Sequence, residues 1–128
     1  MPISFIWTVK SYRSRAELDP TGSLEGNQRI LHDYLGGRSE EIPLLSPLRM
    51  DLKLLPRMFI QVGDQEVLLS DSLRFADRAR AAGVSVELEV WDNMWSVFHF
   101  LAYMLPEAQQ AITHIGQFVR TTLKIESE

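Results

Sequence analysis

Cysteine is absent from the 128 residues, which excludes disulfide bridges and thiolate zinc sites and leaves the redox compartment open. Basic excess is absent too: 13 Lys and Arg stand against 17 Asp and Glu, a net charge of −4, whereas a nucleic-acid footprint needs basic residues gathered on one face. Arg13 and Arg15 form the one local basic concentration near the start and read as solvated surface. No apolar run approaches the roughly 20 residues that span a bilayer, so no membrane span is expected. Met1 to Val9 is apolar, but no basic stretch precedes it and no small-residue cleavage pattern follows, so a cytoplasmic location is expected rather than a secretory leader. Internal repeats, low-complexity tracts, phosphate loops and dinucleotide fingerprints are missing. His32, His99 and His114 have no metal-ligand spacing. Neither a metal nor a cofactor is expected, and His32 and His114 read as surface residues on helices.

What is present is a globular composition, 45% apolar and 23% charged, on a chain long enough for one ordinary domain. Ile3 to Val9 reads as a short buried strand and the polar stretch from Lys10 to Gly22 as a loop. Ser23 is placed to cap a helix running to about Leu35, which Gly36-Gly37 would stop. Pro43, Pro47 and Pro56 punctuate the next segment, so loop is expected there. Arg57 to Val62 is a compact strand ending at Gly63. From Ser70 or Asp71 to Ala82, the residues Leu73, Ala76, Ala79 and Ala82 recur at helical spacing, and Gly83 supplies the stop. Val84, Val86, Leu88 and Val90 then alternate with Ser85, Glu87 and Glu89, the period of a half-exposed strand. Pro106 opens a last helix whose Ala108, Ala111, Ile112, Ile115, Phe118, Val119 and Leu123 form one face.

Strand, helix, strand, helix predicts a right-handed βαβ unit in a parallel sheet, an α/β fold. Successive parallel strands deliver their following loops to one edge of the sheet, where open α/β sheets place their ligands. Glu66 and the loop from Asp92 to His99 should therefore face each other. Taken alone, Glu66 is either a site carboxylate or a loop charge favoured by the start of the next helix. Asp71 is expected to cap that helix, with a supporting site role as the alternative. The cluster of Trp91, Met94, Trp95, Phe98, Phe100, Tyr103 and Met104 suits core filling, and it also suits the apolar wall of a pocket.

Three runs carry a more specific likeness: Leu55 to Gly63, then Glu66-Val67-Leu68-Leu69-Ser70-Asp71-Ser72, then Ala79-Arg80-Ala81-Ala82-Gly83-Val84. Together with Tyr12 to Ala16, Tyr34-Leu35-Gly36-Gly37 and Ser46-Pro47-Leu48, they resemble the C-terminal half of the hormone-sensitive-lipase-like carboxylesterases, the third α/β-hydrolase group. The likeness covers nearly the whole chain and implies a single partial α/β-hydrolase domain over residues 1–128, with parallel strands and flanking helices. It also implies ancestry in the hydrolysis of short-chain carboxylic esters by a serine, a histidine and an acid.

Carried over residue by residue, Glu66 matches the acid, whose role is to accept the imidazole N–H and stabilise the imidazolium. The family's histidine position falls on Ser96, between Trp95 and Val97. A hydroxyl has no pKa near neutrality and cannot act as the general base. His99 stands three residues later, displaced on a turn. An ordinary packed or solvent-facing histidine is the expected reading, with service as a substitute base the alternative. The Gly-x-Ser-x-Gly elbow and the His-Gly-Gly-Gly type loop, which lie upstream in the family, have no counterpart: Ser4, Ser11, Ser14, Ser23, Ser39, Ser46 and Ser70 lack the glycine frame. The isolated chain is therefore expected to be inactive. A partial parallel sheet leaves an open edge and apolar faces. The expected partners are a second copy, joined through the strand at 85–91, or a separate N-terminal hydrolase half. A small ester substrate is expected only once the site is completed.

Overall fold

The computed structural model describes residues 10–20, 24–36 and 50–124. The strand expected at Ile3 to Val9, the Ser23 cap, Gly37, Pro43 and the Ser46-Pro47-Leu48 run lie outside the described residues. The helices are α1 (Lys10–Ser14), α2 (Leu24–Leu35), α3 (Leu69–Ala81) and α4 (Pro106–Leu123), and the strands are β1 (Met58–Gly63) and β2 (Val86–Trp91). A short 3-10 turn, Phe98–Leu101, precedes α4. Lys10–Ser14 corrects the expectation of a loop. Its sequence has no apolar period, and the turn is held instead by burial of Ser11 and Tyr12.

β1 and β2 pair in parallel with Met58 opposite Val86 and Gly63 opposite Trp91, so α3 is the crossover between them. Strand alternation sends Met58 and Val86 to one face and Phe59, Gln61, Glu87, Glu89 and Trp91 to the other. On the first face, Ala79 of α3 packs with Leu52 and Val84, and Met58, Phe75 and Val86 close around them. On the second, Ala108 and Ala111 of α4 pack with Met94 and Phe98, flanked by Trp91, Trp95 and Leu105. The result is a three-layered arrangement, helix on sheet on helix.

The polar side of β2 is not simply left to water, as the alternation alone would have it. Glu89 sits half-buried under α4, where its Oε2 accepts from Gln61 Nε2 at 3.0 Å and Trp91 Nε1 at 3.0 Å, and its Oε1 lies 2.8 Å from His114 Nδ1. His114 is accordingly a half-buried partner of the sheet rather than a free surface residue; His32 is exposed, as expected. The aromatic cluster divides: Met94 and Phe98 are core, whereas Phe100, Tyr103 and Met104 are exposed. Only part of the α4 apolar face is covered, for Ile112, Ile115, Val119 and Leu123 remain exposed.

Candidate functional site

Both strands end at the same edge, and the loops that follow are sewn together by their backbones. Asp64 N–H donates to Trp91 O at 2.9 Å, Gln65 N–H to Met94 O at 3.0 Å, and Asn93 N–H to the Asp64 carboxylate at 2.8 Å. Asn93 and Val97 both take left-handed backbone angles, φ 57° and 50°. Asparagine adopts that region readily, but for β-branched Val97 it is a strained conformation, which the surrounding loop must enforce. Close approach is needed as well. A Cβ on Gly63 would lie 2.2 Å from Met94 O, so only glycine lets the end of β1 meet the second loop.

This stitching brings Glu66 and Ser96 together. The Glu66 side chain turns back to the strand end, where Gly63 N–H donates to Oε2 at 2.7 Å, and the Ser96 hydroxyl lies close enough to pull its carboxyl pKa down. Glu66 is only 9% exposed. Burial pushes its carboxyl pKa upward, the Gly63 N–H and the Ser96 hydroxyl pull it back, and the nearby Asp19 charge adds a further upward push. A buried acid aimed at the second loop could orient a ring N–H standing there. What stands there is a hydroxyl.

His99 is not brought to Glu66. Its Nε2 lies 2.7 Å from Gln61 Oε1, and its ring packs on Phe98 with centroids 4.3 Å apart. Gln61 spends its amide N–H groups on Glu89 and on Ala111 O, so its Oε1 is the acceptor and His99 Nε2 carries the proton. Burial lowers the His99 pKa. This histidine is tied to β1 through Gln61 and packed on Phe98.

Asp71 is a correction. The N-cap position of α3 is Leu68, with no side-chain cap, and Asp71 stands in the first helical turn. The helix starts earlier than its apolar period because Leu69 and Ser70 extend it toward the acid loop. Both Asp71 carboxylate oxygens are buried without a hydrogen-bond partner among the described residues. Burial raises its pKa to about 7, against a smaller lowering by Arg74.

Sequence reasoning missed the clamp that holds the acid loop from outside. Ser11 Oγ donates to Val67 O at 2.6 Å and accepts from Ser70 N–H at 2.9 Å. Arg15 Nε donates to Asp64 O at 2.6 Å, and buried Asp19 accepts Val67 N–H at 3.0 Å. Spacing within one element cannot reveal such contacts, which join residues about 50 positions apart. Among the described residues no group of three or more His, Asp or Glu could hold a metal ion, and no helix is long and apolar enough to cross a membrane.

Residues 4–100 match the family model described as alpha/beta hydrolase fold. An acetyl-hydrolase of Streptomyces hygroscopicus is 40% identical over 94 residues, covering 73% of this chain and 31% of that protein. An esterase of Acinetobacter venetianus is 36% identical over 123 residues, 93% of this chain and 39% of its own. Among solved structures, an esterase from the bacterial hormone-sensitive lipase family superposes with a TM-score of 0.89 at 43% identity, covering 94% of this chain and 40% of that one. The chain thus spans well under half the length of these relatives.

Proposed function

The chain belongs to the alpha/beta hydrolase fold family, and from that premise we propose that it is the acid-bearing portion of a carboxylic ester hydrolase, without turnover of its own. Its ancestry is carboxylesterase-like. The observation that carries the reading is the Glu66 carboxylate, buried at the end of β1, hydrogen-bonded by Gly63 N–H and influenced by the Ser96 hydroxyl of the second loop. In a triad the acid works through an imidazole. Here the position that matches the family's histidine is Ser96, no serine has the nucleophile's glycine frame, and His99 is engaged by Gln61. The acid is in place with no base to orient and no nucleophile to activate.

The test is direct. The purified 128-residue chain, given p-nitrophenyl acetate or butyrate, should release p-nitrophenol at the rate of buffer alone, and Glu66→Gln should leave that rate unchanged. Turnover above buffer that is lost in Glu66→Gln would sink the proposal.

A further inference from the structure

β2 presents its two glutamates to the α4 face, and their partners differ. Glu87 is paired with the Arg57 guanidinium, which also lies over the Phe118 ring, 5.2 Å from its centroid. Glu89 has no guanidinium or ammonium partner among the described residues. Its Oε2 accepts from Gln61 and Trp91, both neutral donors, and its Oε1 faces His114 Nδ1. Two N–H groups on one oxygen favour the charged, acceptor-only carboxylate, so the third partner donates as well. The neutral ring of His114 therefore carries its proton on Nδ1 and keeps its lone pair on Nε2. A carboxylate behind an imidazole fixes the ring's tautomer and raises the basicity of the far nitrogen. Among the described residues that nitrogen makes no hydrogen bond.

The pair borders a cavity of 250 Å³ on the α4 face of the strands, bounded by Arg57, Phe59, Glu87 and Glu89 on the strand side and by His114 and Phe118 on the helix. That volume lies just under the usual range for ligand pockets and suits a ligand of one small ring. Charge decides the ligand's class. Glu87 is answered by Arg57, so with neutral His114 the named lining keeps one negative charge in excess, at Glu89. An anion would meet that charge, and a ligand without N–H or O–H groups would leave Nε2 unsatisfied. The lining already accommodates one planar cation, because the Arg57 guanidinium bridges a carboxylate and an aromatic face.

We infer that this cavity binds a small organic cation with N–H donors, an amidinium or a primary ammonium, which donates to His114 Nε2 while Glu89 supplies the charge behind the ring. Glu89 is thereby a positioning residue, for it sets which nitrogen of His114 accepts.

The experiment follows the imidazole nitrogens of the full chain by ¹⁵N correlation NMR as benzamidinium chloride is added at constant ionic strength. The His114 Nε2 resonance should move saturably, with half-saturation on the order of 1 mM, and exposed His32 should not move. Neutral benzyl alcohol should bind at least ~10-fold more weakly, because its hydrogen bond is not charge-assisted, and benzoate more weakly still. Glu89→Gln keeps the shape, but its amide can present N–H to Nδ1 and so move the imidazole proton to Nε2. Affinity should then fall at least ~10-fold, and His114→Phe, a ring without an acceptor, should lose as much. Glu66→Gln should leave the affinity unchanged. Circular dichroism checks that each variant is folded. A His114 shift that is absent or does not saturate would overturn the inference, as would benzoate binding as tightly as benzamidinium. So would a folded Glu89→Gln or His114→Phe chain that binds like the parent, or a parallel loss in Glu66→Gln. The comparison of ligands is made on the parent chain and decides the matter even where a variant does not fold.

Discussion

Three carboxylates among the described residues, Asp19, Glu66 and Asp71, are held away from water, and burial pushes the pKa of Glu66 and Asp71 upward. At Glu66 the Ser96 hydroxyl favours the charged form and the Asp19 charge opposes it. Ser96→Ala should therefore raise the Glu66 pKa and Asp19→Asn should lower it, and a carbon-detected NMR titration of the side-chain carboxyl reads both. Shifts of the same sign in the two variants would contradict the geometry. Asp71 has a folded pKa of about 7 against an ordinary 3.8. Its folded form holds the proton more tightly than the unfolded chain does. Its contribution to stability is thus complete below about pH 4 and is lost as pH rises through 7. Discounted for solvent screening, the loss is ~1–2 kcal/mol. Urea midpoints at pH 4.5 and 7.5 should diverge less in Asp71→Asn than in the parent chain, and an equal divergence in the two would remove Asp71 from the account. The sequence singled out Glu66 because, by resemblance, its position three residues after Gly63 matches the family's acid. It did not expose the state of Asp71, because a carboxylate near a helix start reads as a cap until the burial of its oxygens is seen.

At the scale of elements, the site depends on how closely two loops meet. Gly63 is the hinge of that meeting, since its N–H serves Glu66 while its missing side chain leaves room for Met94 O. Gly63→Ala should cost about 1–3 kcal/mol of unfolding free energy, the range for overpacking a fitted site. Thermal unfolding measures it, and a loss below ~0.5 kcal/mol would mean the loops adjust freely. The α1 clamp acts on the same loop from outside. Removing the acceptor in Asp19→Ala leaves Val67 N–H buried without its partner, at about 1–3 kcal/mol. Chemical denaturation would reveal it, and an unchanged midpoint would count against the clamp. Periodicity made α3, α4 and β2 legible, the helices because each buries a face at its own period, Ala76 and Ala79 in α3, Ala108 and Ala111 in α4, whereas β1 stood out as a compact run ending at Gly63. The short α1 turn was illegible for the converse reason. Ser11, Arg15 and Asp19 are polar and engage backbone groups of a distant loop, an arrangement that leaves no local pattern.

For the whole molecule, the question is whether the scaffold around Glu66 still fits a hydrolytic site once the missing groups are supplied. On the proposed reading the acid is Glu66, whose carboxylate is buried, held by Gly63 N–H, and near enough to the Ser96 hydroxyl to feel it. If completion of the sheet brings a nucleophile and oxyanion donors to the same edge, the remaining defect is the base. Losing one member of such a triad forfeits most of its rate, on the order of 10⁴- to 10⁶-fold, because the members act as a unit. This chain mixed with the part of the solved esterase that precedes its matched region should therefore stay nearly inactive on p-nitrophenyl butyrate. Ser96→His in the same mixture should raise kcat by at least about 10³-fold, since it restores the proton acceptor where Glu66 can orient it. The gain should vanish when Glu66→Ala is added, because an imidazole without its acid loses both tautomer and orientation. A Ser96→His mixture no faster than the parent would show that the second loop, with Val97 held in its left-handed conformation, has moved away from any geometry a histidine could use.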